Sequence, residues 1–409
     1  MSLEGRRILV GLSGGIACYK ACEVVRVLAR DGARVRVVMT AGAREFVTPL
    51  TLQTLSGQPV ATDTFSLTQE SEIGHIRLAD EAEVVLIAPA TANVMAKLAH
   101  GLADDLLSTV ALASQAPLLL APAMNVHMWE HAATQANLRT LVERGAAVVG
   151  PASGSLACGY EGAGRLAEPG DIVEAVAGVL SAKDLRGERV LVSAGPTREA
   201  IDPVRYLSNH SSGKMGDAIA RVAHRRGAEV VLVTGPTSLP PPPGVRTVAV
   251  TTADEMQRAL EREFRVASVL IMAAAVADQR VRVPAAHKLK KGPRPFALDL
   301  ERTPDILAGL AAKKGRRLVV GFAAETRALD EEAARKLREK HLDLVVANDV
   351  TAPGAGFGSD TNVVQLLDAD GLAESLPLLP KDEVAGRILD WVVRRRQRAS
   401  SRPVLRRVR

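Results

Sequence analysis

One strand–loop–helix–strand pattern occurs twice in this chain of 409 residues. In the first copy, an apolar run over 7–11, a small-residue loop, a helical pattern over 16–30 and an apolar run over 35–39 follow one another. The second copy begins at Arg189 and ends at Thr234 with the same order. Two such runs joined by a helix are typical of a βαβ unit with parallel strands. We therefore expect two Rossmann-like (flavodoxin-like) α/β domains with parallel sheets in tandem.

The length of the chain also predicts two domains, which we place at 1–186 and 187–392. We expect residues 393–409 to form a basic, disordered tail. Eight arginines follow Asp390, whereas the whole chain has a net charge of +6, so the remainder is slightly acidic. A solvated tail is therefore favoured over a nucleic-acid-binding arm, which would bind DNA in a salt-sensitive way that truncation after Asp390 abolishes.

The sequence gives no sign of a membrane or secretory protein. No apolar run has the length of a membrane span, and the N-terminus leads directly into a strand. The three cysteines, Cys18, Cys22 and Cys158, have no paired spacing, which argues against a disulfide framework or a zinc site. Cys18 and Cys22 are four residues apart, as buried small side chains on one helix would be. We predict a cytoplasmic protein that binds neither membranes nor nucleic acid.

Short polar residues follow the apolar runs of the first half: Ser13, Thr40, Thr91 and Asn125. Ligands of parallel α/β sheets collect at the carboxyl ends of the strands, so this recurrence favours a binding site. Thr40, and Thr234 in the second copy, stand where NAD-binding units usually carry an acidic residue. The hydroxyls suit a phosphate monoester better, which disfavours an NAD-linked oxidoreductase.

Two further segments of the first half have alternative interpretations. His75 lies in the sequence Gly74-His75-Ile76, and a single histidine is more often structural than catalytic. Cys158 lies in the glycine-rich segment 153–166, which is either a mobile surface loop or a lid that brings one thiol to a ligand.

Five motifs of the first half are SGGIACYK, GHI, APATANVMAK, PAMNVHMW and LACGYEGAGR. Together they resemble phosphopantothenoylcysteine decarboxylases of the flavin-containing cysteine decarboxylase family. The resemblance implies FMN as cofactor, since oxidation next to sulfur creates the electron sink that loss of CO₂ needs. It implies that His75 is a base or orienting group, that Asn125 binds the substrate carboxylate and that Cys158 donates the late proton. The candidate FMN contacts are Ser13, Gly14, Gly15, Thr40, Pro89, Thr91, Asn93 and Met124.

The second half begins with RGERVLVSAGPTREAIDPVRYLSNHSSGKMGD over 186–217. Its small hydroxyl residues, glycine and Lys214 precede a helix, and such a loop suits a phosphate. A lysine cluster over 288–291 and the pair Lys336 and Lys340 are either solvated faces or, with this loop, parts of a triphosphate site.

The motifs SAGPTRE, SNHSSGKMG, MAAAVAD, TPDIL and ANDV resemble phosphopantothenate–cysteine ligases over 187–390. The resemblance implies that CTP activates 4'-phosphopantothenate as an acyl-cytidylate and that cysteine displaces CMP, with Mg²⁺ neutralising charge. It implies a role for Lys288 in cytidylation and for Asn209 and Arg205 in the cysteine step, and Asp278 is a candidate Mg²⁺ ligand. The implied CTP contacts are Ala273, Ala274, Asp278, Lys288, Pro304, Asp305, Ile306, Leu307, Phe322, Lys336 and Lys340.

The two resemblances together imply a bifunctional enzyme that makes 4'-phosphopantetheine for coenzyme A from 4'-phosphopantothenate, cysteine and CTP. They also imply a homo-oligomer, in which the first domain forms trimers or a dodecamer of trimers and the second domain dimerises. An alternative is a non-catalytic FMN-binding regulatory subunit. That alternative predicts the loss of His75 or Cys158, and both residues are present.

Overall fold

The chain divides into two units, Ser2–Ser181 and Ala182–Arg409. Each unit contains its own large sheet. The division lies five residues before the domain boundary predicted from the sequence. A computed structural model describes residues 3–64, 74–155, 159–290, 297–325, 329–349, 353–356 and 358–400.

The first unit alternates strands and helices. Its elements in chain order are β1 (Arg7–Leu12), α1 (Cys18–Arg30), β2 (Arg34–Met39), α2 (Ala41–Arg44), α3 (Pro49–Ser56), β3 (Val60–Ala61), α4 (Gly74–Glu81), β4 (Val84–Ala90), α5 (Ala92–His100), α6 (Leu106–Ala113), β5 (Leu118–Pro122), α7 (Val126–Glu130), α8 (Ala132–Glu143), β6 (Ala147–Val148), β7 (Ala152–Ser155), β8 (Glu161–Arg165) and α9 (Pro169–Leu180).

The large sheet of this unit is parallel, with strand order β3-β2-β1-β4-β5-β6. This is the Rossmann order, and without the two-residue edge strand β3 it is also the flavodoxin order. The sheet is covered on both faces, which is why β1 and β4 are continuous apolar runs rather than alternating ones. The fold class predicted for this half is confirmed.

Helix α1 shows how the sequence builds the first core. Its buried residues Cys18, Ala21, Val25 and Leu28 recur at three- and four-residue spacing and form one face of the helix. Cys18 is completely buried, as predicted from its spacing to the half-buried Cys22. Small residues on this face let the helix lie close to the sheet.

The second unit repeats the plan and extends it. Its elements are β9 (Arg189–Ala194), β10 (Arg198–Ala200), β11 (Tyr206–Ser208), α10 (Lys214–Arg225), β12 (Glu229–Thr234), β13 (Arg246–Ala249), α11 (Ala253–Phe264), β14 (Val269–Met272), β15 (Gln279–Val281), β16 (Leu300–Arg302), α12 (Ile306–Ala311), β17 (Leu318–Glu325), α13 (Leu329–Glu339), β18 (Leu344–Asp349), β19 (Thr361–Asp368), β20 (Gly371–Pro380) and α14 (Lys381–Ser400).

The large sheet of the second unit has the order β13-β12-β9-β14-β17-β18-β19-β20. Six strands are parallel, but β19 and β20 are added in antiparallel orientation. The sequence analysis predicted the parallel part and missed this hairpin. Along β19 the pattern of buried and half-buried residues alternates, as expected for an antiparallel strand.

Helix α10 lies unusually close to β9 because Gly216 is at the contact. A Cβ atom on Gly216 would stand 2.5 Å from the Ala194 Cβ and 2.9 Å from the Ser193 carbonyl oxygen. A larger residue would push the helix away from the strand. This contact explains the glycine in the SSGKMG sequence and fixes the N-terminus of α10 beside the end of β9.

The predicted disordered tail over 393–409 needs correction. Helix α14 continues to Ser400, because Trp391 and Val392 are buried in the core and Arg396 forms an ion pair with Glu188 at 3.3 Å. Residues 401–409 lie outside the described part of the chain. Within the described residues, no helix combines the length and apolarity needed to cross a bilayer.

Candidate active sites

A cleft of about 930 Å³ opens at the carboxyl ends of the strands in the first unit. It lies where loops after β1, β2, β4 and β5 meet, which is the expected ligand position for this strand order. Of the eight candidate FMN contacts, the seven that line this cleft are Ser13, Gly14, Gly15, Thr40, Thr91, Asn93 and Met124. The eighth, Pro89, does not line the cleft, but its carbonyl oxygen accepts a hydrogen bond from the Ser13 hydroxyl.

Ser13 joins two of these loops. Its buried hydroxyl donates to the Pro89 carbonyl oxygen at 2.6 Å and lies 3.0 Å from the Thr91 hydroxyl. It also accepts a hydrogen bond from the Thr91 backbone N–H at 3.1 Å. Thr91 caps α5, since its hydroxyl accepts from the Val94 N–H. The hydroxyls of the β1 and β4 loops are thereby held together at one place.

Gly14 allows a second close approach. A Cβ atom at Gly14 would lie 2.9 Å from the backbone of Gly42, in the first turn of α2. Thr40 caps α2 by accepting a hydrogen bond from the Ala43 N–H. The absence of side chains at Gly14 and Gly42 lets the two loop backbones lie in contact. This part of the cleft wall, which we call the cradle, exposes bare backbone beside the Thr40 hydroxyl and fits a phosphate group.

The rest of the wall is largely apolar. Ile16 and Tyr19 are more than half exposed on the rim, and Met124 and Leu166 lie deeper. Apolar walls with a few convergent polar groups are typical of cofactor sites. The cradle and the apolar wall together fit a flavin mononucleotide, whose phosphate is polar and whose ring system is flat and apolar.

Lys97 lies in the same cleft between two carboxylates. Its Nζ atom is 2.7 Å from Asp104 and 2.9 Å from Asp105. Both hydrogen bonds raise the pKa of Lys97, and the bond to Asp104 has the larger effect. The ammonium therefore stays charged. The sequence analysis did not select this cluster. Lys97 lies in α5 and Asp105 is the N-cap of α6, and only the turn between these helices brings the two side chains together.

Asn125 begins α7 at the edge of the cleft. Its Oδ1 atom accepts a hydrogen bond from the His127 N–H at 2.9 Å, which makes it the N-cap. The preceding residue, Met124, donates its N–H to the Gly164 carbonyl oxygen at 3.0 Å and so ties this loop to the β7–β8 hairpin. Asn125 therefore lies in the cleft, as expected for a residue that contacts substrate.

Of the other two catalytic candidates of the first half, the structure describes only His75. His75 is in the first turn of α4 and is not among the residues that line the cleft. Its Nδ1 atom is buried and has no hydrogen-bond partner among the described residues. Cys158 lies outside the described residues. The roles of both remain predictions.

The second unit has two cavities that share a wall, with volumes of about 510 Å³ and 500 Å³. We call them the first and second cavities of this unit. Nine of the eleven candidate CTP contacts line the first cavity, Ala273 lines the second, and Lys288 lines neither. The shared wall consists of Ala274, Val276, Asp278, Phe322 and Lys336.

The loop after β14 is fixed by hydrogen bonds to the loop after β9. The Ala274 N–H donates to the Ser193 hydroxyl at 3.2 Å, and the Ala277 N–H donates to the Thr197 hydroxyl at 3.0 Å. The Asn209 side chain donates to the Val276 carbonyl oxygen at 3.0 Å. Asn209 thus stands beside the shared wall, which brings the SNHSSGK and AAAVAD segments together.

Two lysines of the first cavity come from the end of α13. The Lys336 ammonium donates to the Phe322 carbonyl oxygen at 2.5 Å, and Lys340 forms an ion pair with Asp305 at 2.8 Å. Burial raises the pKa of Asp305, but hydrogen bonds from Lys340 and the Ala308 N–H outweigh it, and the net pKa is lowered. The four-residue spacing predicted a shared side for these lysines, and the structure places both on one cavity.

Arg205 and Lys288 belong to a different cluster. The Arg205 guanidinium is 2.5 Å from the buried carboxylate of Asp202 and donates to the Leu289 carbonyl oxygen at 3.0 Å. The Leu289 N–H donates to Asp202 at 3.1 Å. Hydrogen bonding by Arg205 is the main reason that the pKa of Asp202 lies well below its usual range. This cluster anchors the loop that carries Lys288, whose side chain is exposed and lies outside both cavities.

Asp278 is a single carboxylate on the shared wall. Among the described residues, no group of three or more histidine, cysteine or acidic side chains is arranged to hold a metal ion. A Mg²⁺ ion at Asp278 would therefore need most of its oxygen ligands from a bound triphosphate and water, as is usual for Mg²⁺.

Three side chains in the second cavity were not singled out as site residues from the sequence: Lys381, Asn348 and Asn362. Lys381 follows β20, and Asn362 lies in β19, the hairpin that the sequence analysis missed. Asn348 is the second-last residue of β18, and its position in the strand-end sequence ANDV was the one available signal.

Two family models match the chain. The model described as "Flavoprotein" matches residues 1–181, and the model described as "DNA/pantothenate metabolism flavoprotein C-terminal domain" matches residues 185–395. These matches adjoin at the division between the two structural units.

Curated relatives match almost the whole length. The coenzyme A biosynthesis bifunctional protein CoaBC of Escherichia coli (strain K12) is 48% identical over 97% of this chain and 98% of its own length. The protein of the same name from Bacillus subtilis (strain 168) is 46% identical over 95% of this chain and 97% of its own length.

A solved structure of a C-terminal domain of CoaBC is 44% identical, covers 53% of this chain and 99% of that domain, and has a TM-score of 0.46. The near-complete coverage of the curated relatives and the match of both family models establish the family. The chain belongs to the coenzyme A biosynthesis bifunctional proteins, which combine phosphopantothenoylcysteine decarboxylase and phosphopantothenate–cysteine ligase activities.

Proposed function

We propose that the unit Ala182–Arg409 couples 4'-phosphopantothenate to cysteine with CTP, and that the unit Ser2–Ser181 decarboxylates the product with FMN. The observation that carries this proposal is that seven of the eight candidate FMN contacts line the cleft of the first unit and nine of the eleven candidate CTP contacts line one cavity of the second unit. The overall product is 4'-phosphopantetheine.

In the first unit, the Thr40 hydroxyl and the Gly14–Gly42 cradle would hold the FMN phosphate, and the apolar wall would receive the ring. The Ser13 hydroxyl, which donates to the Pro89 carbonyl oxygen, would fix the loops around the phosphate. When bound, FMN supplies two-electron oxidation at the substrate carbon next to sulfur, which lets CO₂ leave. Asn125 binds the substrate carboxylate at the edge of the cleft. His75 orients the substrate or accepts a proton, and Cys158 donates a proton late in the reaction.

In the second unit, CTP lies in the first cavity. Lys336 and Lys340 counter the negative charge of its triphosphate, together with Mg²⁺. The substrate carboxylate attacks the α-phosphorus of CTP, pyrophosphate leaves, and an acyl-cytidylate forms. The cysteine amine then attacks the acyl carbon and CMP leaves. Lys288 acts in the first step, and Asn209 and Arg205 act in the second.

The direct test supplies 4'-phosphopantothenate, cysteine, CTP and Mg²⁺ to purified, FMN-loaded protein. We expect stoichiometric release of pyrophosphate and CO₂, with less pyrophosphate when ATP replaces CTP. The absorption spectrum of the protein as purified reports bound flavin. Protein that releases no pyrophosphate with any of these substrates, or that cannot bind added FMN, would contradict the corresponding half of the proposal.

A variant pair tests the position of CTP. Lys340→Ala removes a cation that faces the first cavity, so we expect CTP affinity to fall by about tenfold, the usual effect of losing one charge-assisted hydrogen bond. The matched control is Arg335→Ala, because Arg335 lies on the same helix and pairs with Glu332 and Glu339 at the exposed surface. Calorimetric titration with CTP measures both, and equal effects would argue against this site.

A further inference from the structure

One charged cluster in the cleft of the first unit has no part in the proposed binding of FMN or substrate. It consists of Lys97, Asp104 and Asp105, all of which line the cleft. The Lys97 ammonium lies 2.7 Å from Asp104 and 2.9 Å from Asp105. The cluster therefore places one cation between two carboxylates in the wall of a cleft that fits FMN.

Helix α5 places Lys97 away from the phosphate position. Thr91 caps the N-terminus of α5 and contacts Ser13, the residue before Gly14 of the cradle. Lys97 is six residues further along the chain, which corresponds to about 9 Å at the rise of an α-helix. Val94 and Lys97 are three residues apart and both line the cleft, so this face of the helix forms part of its wall. A cofactor whose phosphate lies in the cradle would therefore meet Lys97 with its ring end.

The two carboxylates hold Lys97 unequally. Asp105 is the N-cap of α6, and its carboxylate also accepts hydrogen bonds from the Ser108 N–H at 2.8 Å and the Ser108 hydroxyl at 2.9 Å. Burial raises the pKa of Asp105, but the bonds from Lys97 and Ser108 outweigh it, and the net pKa is lowered. The Asp104 side chain is 65% exposed, so water and salt screen its charge. Asp105 thus fixes the ammonium in place, and Asp104 only weakens its field.

Flavin chemistry gives such a cluster a use. Two-electron reduction adds negative charge to a flavin ring, and charged groups nearby change the relative stability of the two oxidation states. In the proposed reaction, the substrate gives two electrons and two protons to FMN before CO₂ leaves and takes them back afterwards. Since no external oxidant or reductant takes part, neither oxidation state should be strongly favoured. A cation that is partly balanced by carboxylates meets this requirement better than a free cation or an apolar wall.

We propose that Lys97 lies at the ring end of bound FMN and stabilises its reduced form, and that Asp104 and Asp105 limit this effect so that both oxidation states remain accessible. Lys97 then sets the redox balance of the cofactor, and the two aspartates are positioning residues that act through it. This inference rests on the proposed decarboxylase function of the first unit.

The midpoint potential of the FMN-loaded, full-length protein tests this proposal, together with fluorescence titration of the apoprotein with oxidised FMN. The two measurements give the affinity for each oxidation state. For Lys97→Met, we expect the affinity for reduced relative to oxidised FMN to fall about tenfold, because a nearby unit charge is lost. This change corresponds to a potential lower by about 30 mV for a two-electron couple. For Asp104→Asn, we expect the same ratio to rise about two- to fivefold, because the ammonium loses a screened counter-charge.

Two control variants separate charge from structure. Lys97→Arg retains the positive charge, so we expect the affinity ratio to stay within about twofold of the wild-type value. Arg144→Met removes a cation that also supports α5, since Arg144 donates to the Ala99 carbonyl oxygen at 2.8 Å, but Arg144 does not line the cleft. We expect the affinity ratio of this variant to equal that of the wild type.

Opposite shifts of the midpoint potential in Lys97→Met and Asp104→Asn support the proposal, because the loss of a purely structural ion pair gives no reason for opposite signs. Equal weakening of both oxidation states in Lys97→Met, with an unchanged potential, would overturn it. So would shifts of the same sign in both variants. If Lys97→Met does not bind FMN, Asp104→Asn decides, and a potential that does not rise contradicts the proposal.

Release of CO₂ from the ligation product is measured in parallel, so that the two levels of the proposal fail separately. FMN-loaded protein that shows the expected potentials but releases no CO₂ refutes the decarboxylase function and leaves the role of Lys97 standing. Normal CO₂ release with unshifted potentials in the variants refutes the role of Lys97 alone.

Discussion

The buried hydroxyl of Ser13 shows how much a single small side chain contributes to this protein. It connects the loop after β1 with the loop after β4 through Pro89 and Thr91, and it lies beside a cradle in which glycine is required at position 14. The binding groups of the first cleft are therefore backbone atoms and hydroxyls held in fixed positions, which lowers the entropy lost on binding.

Replacement of Ser13 tests this role. We expect Ser13→Ala to weaken FMN binding about tenfold, because the Ser13 hydrogen bonds to Pro89 and Thr91 hold together the two loops beside the phosphate position, and the loss of a buried hydrogen-bond partner costs about 1–3 kcal/mol. Fluorescence titration of the apoprotein with FMN measures the change. Ser181→Ala is the control, since the Ser181 hydroxyl is also buried but donates to the Ala177 carbonyl oxygen in α9. Unchanged FMN affinity in Ser13→Ala would exclude this positioning role.

Asp202 is the corresponding residue of the second unit. Its carboxylate accepts hydrogen bonds from Arg205 and from the N–H groups of Val204 and Leu289, and the Arg205 bond contributes most to its lowered pKa. A carboxyl whose folded-state pKa lies below its unfolded-state value stabilises the fold above the unfolded pKa of about 4. This contribution is lost as the pH falls through the folded-state pKa.

We therefore expect Asp202→Asn to lower the free energy of unfolding of the second unit at neutral pH, and to flatten its decrease below about pH 4. Denaturant unfolding at several pH values measures this difference. The control is Asp299→Asn, which breaks an exposed pair with Arg282 at 3.4 Å. If the stability difference between wild type and Asp202→Asn is the same at neutral and acidic pH, the cluster does not hold a stabilising charge.

At the scale of elements, helix α14 is the clearest departure from what the sequence predicts. The arginine-rich end of the sequence is typical of a solvated tail. Trp391, just before the arginines, is nevertheless 4% exposed and donates its indole N–H to the Asp368 carboxylate at 2.9 Å. Apolar residues 391–393 lie directly before the arginines, so one helix carries both a buried face and a charged end. The end of the fold predicted from charge, at residue 392, was therefore too early in the chain, because α14 continues to Ser400.

Truncation tests how much α14 contributes to the stability of the fold. A chain that ends after Asp390 loses the buried Trp391, and removal of a buried tryptophan typically costs about 3–5 kcal/mol. We expect this variant to unfold at a markedly lower temperature or to be insoluble. A chain that ends after Ser400 should keep the melting temperature of the wild type. DNA binding that depends on the truncated segment has to be tested with the second variant, because the first removes part of the core.

At the scale of the whole molecule, the chain consists of two units that each contain a complete sheet, separate cores and their own clefts. Among the described residues, the candidate FMN contacts that line a cleft belong to the first unit, and the candidate CTP contacts that line a cavity belong to the second. This organisation predicts that each half-reaction is a property of one unit.

Separation of the units tests this prediction. We expect a fragment of residues 182–409 to release pyrophosphate from CTP with 4'-phosphopantothenate and cysteine, and a fragment of residues 2–181 to bind FMN and release CO₂ from the ligation product. A mixture of the two should carry out both steps. Folded fragments that are inactive alone and in mixture, while the intact chain is active, would show that one unit completes the site of the other.

Sequence alone determined the features that depend on local order along the chain. Apolar runs followed by small or polar residues identified the parallel strands and their ligand-binding ends, because buried strands and strand-end turns need those residue types. It also selected residues such as Ser13, Thr40 and Lys336 that the structure places in the clefts.

Only the tertiary structure decided which of these residues meet. It separated Lys288 and Arg205 from the two cavities, placed Lys340 at the first cavity and Lys336 at both, and added Lys381 and Asn348 from distant segments to the second. It also showed that α14 is part of a core. The physical reason is that burial, ion pairing and cavity shape depend on contacts between residues more than a hundred positions apart, as with Lys214 and Asp360, and no local pattern records such contacts.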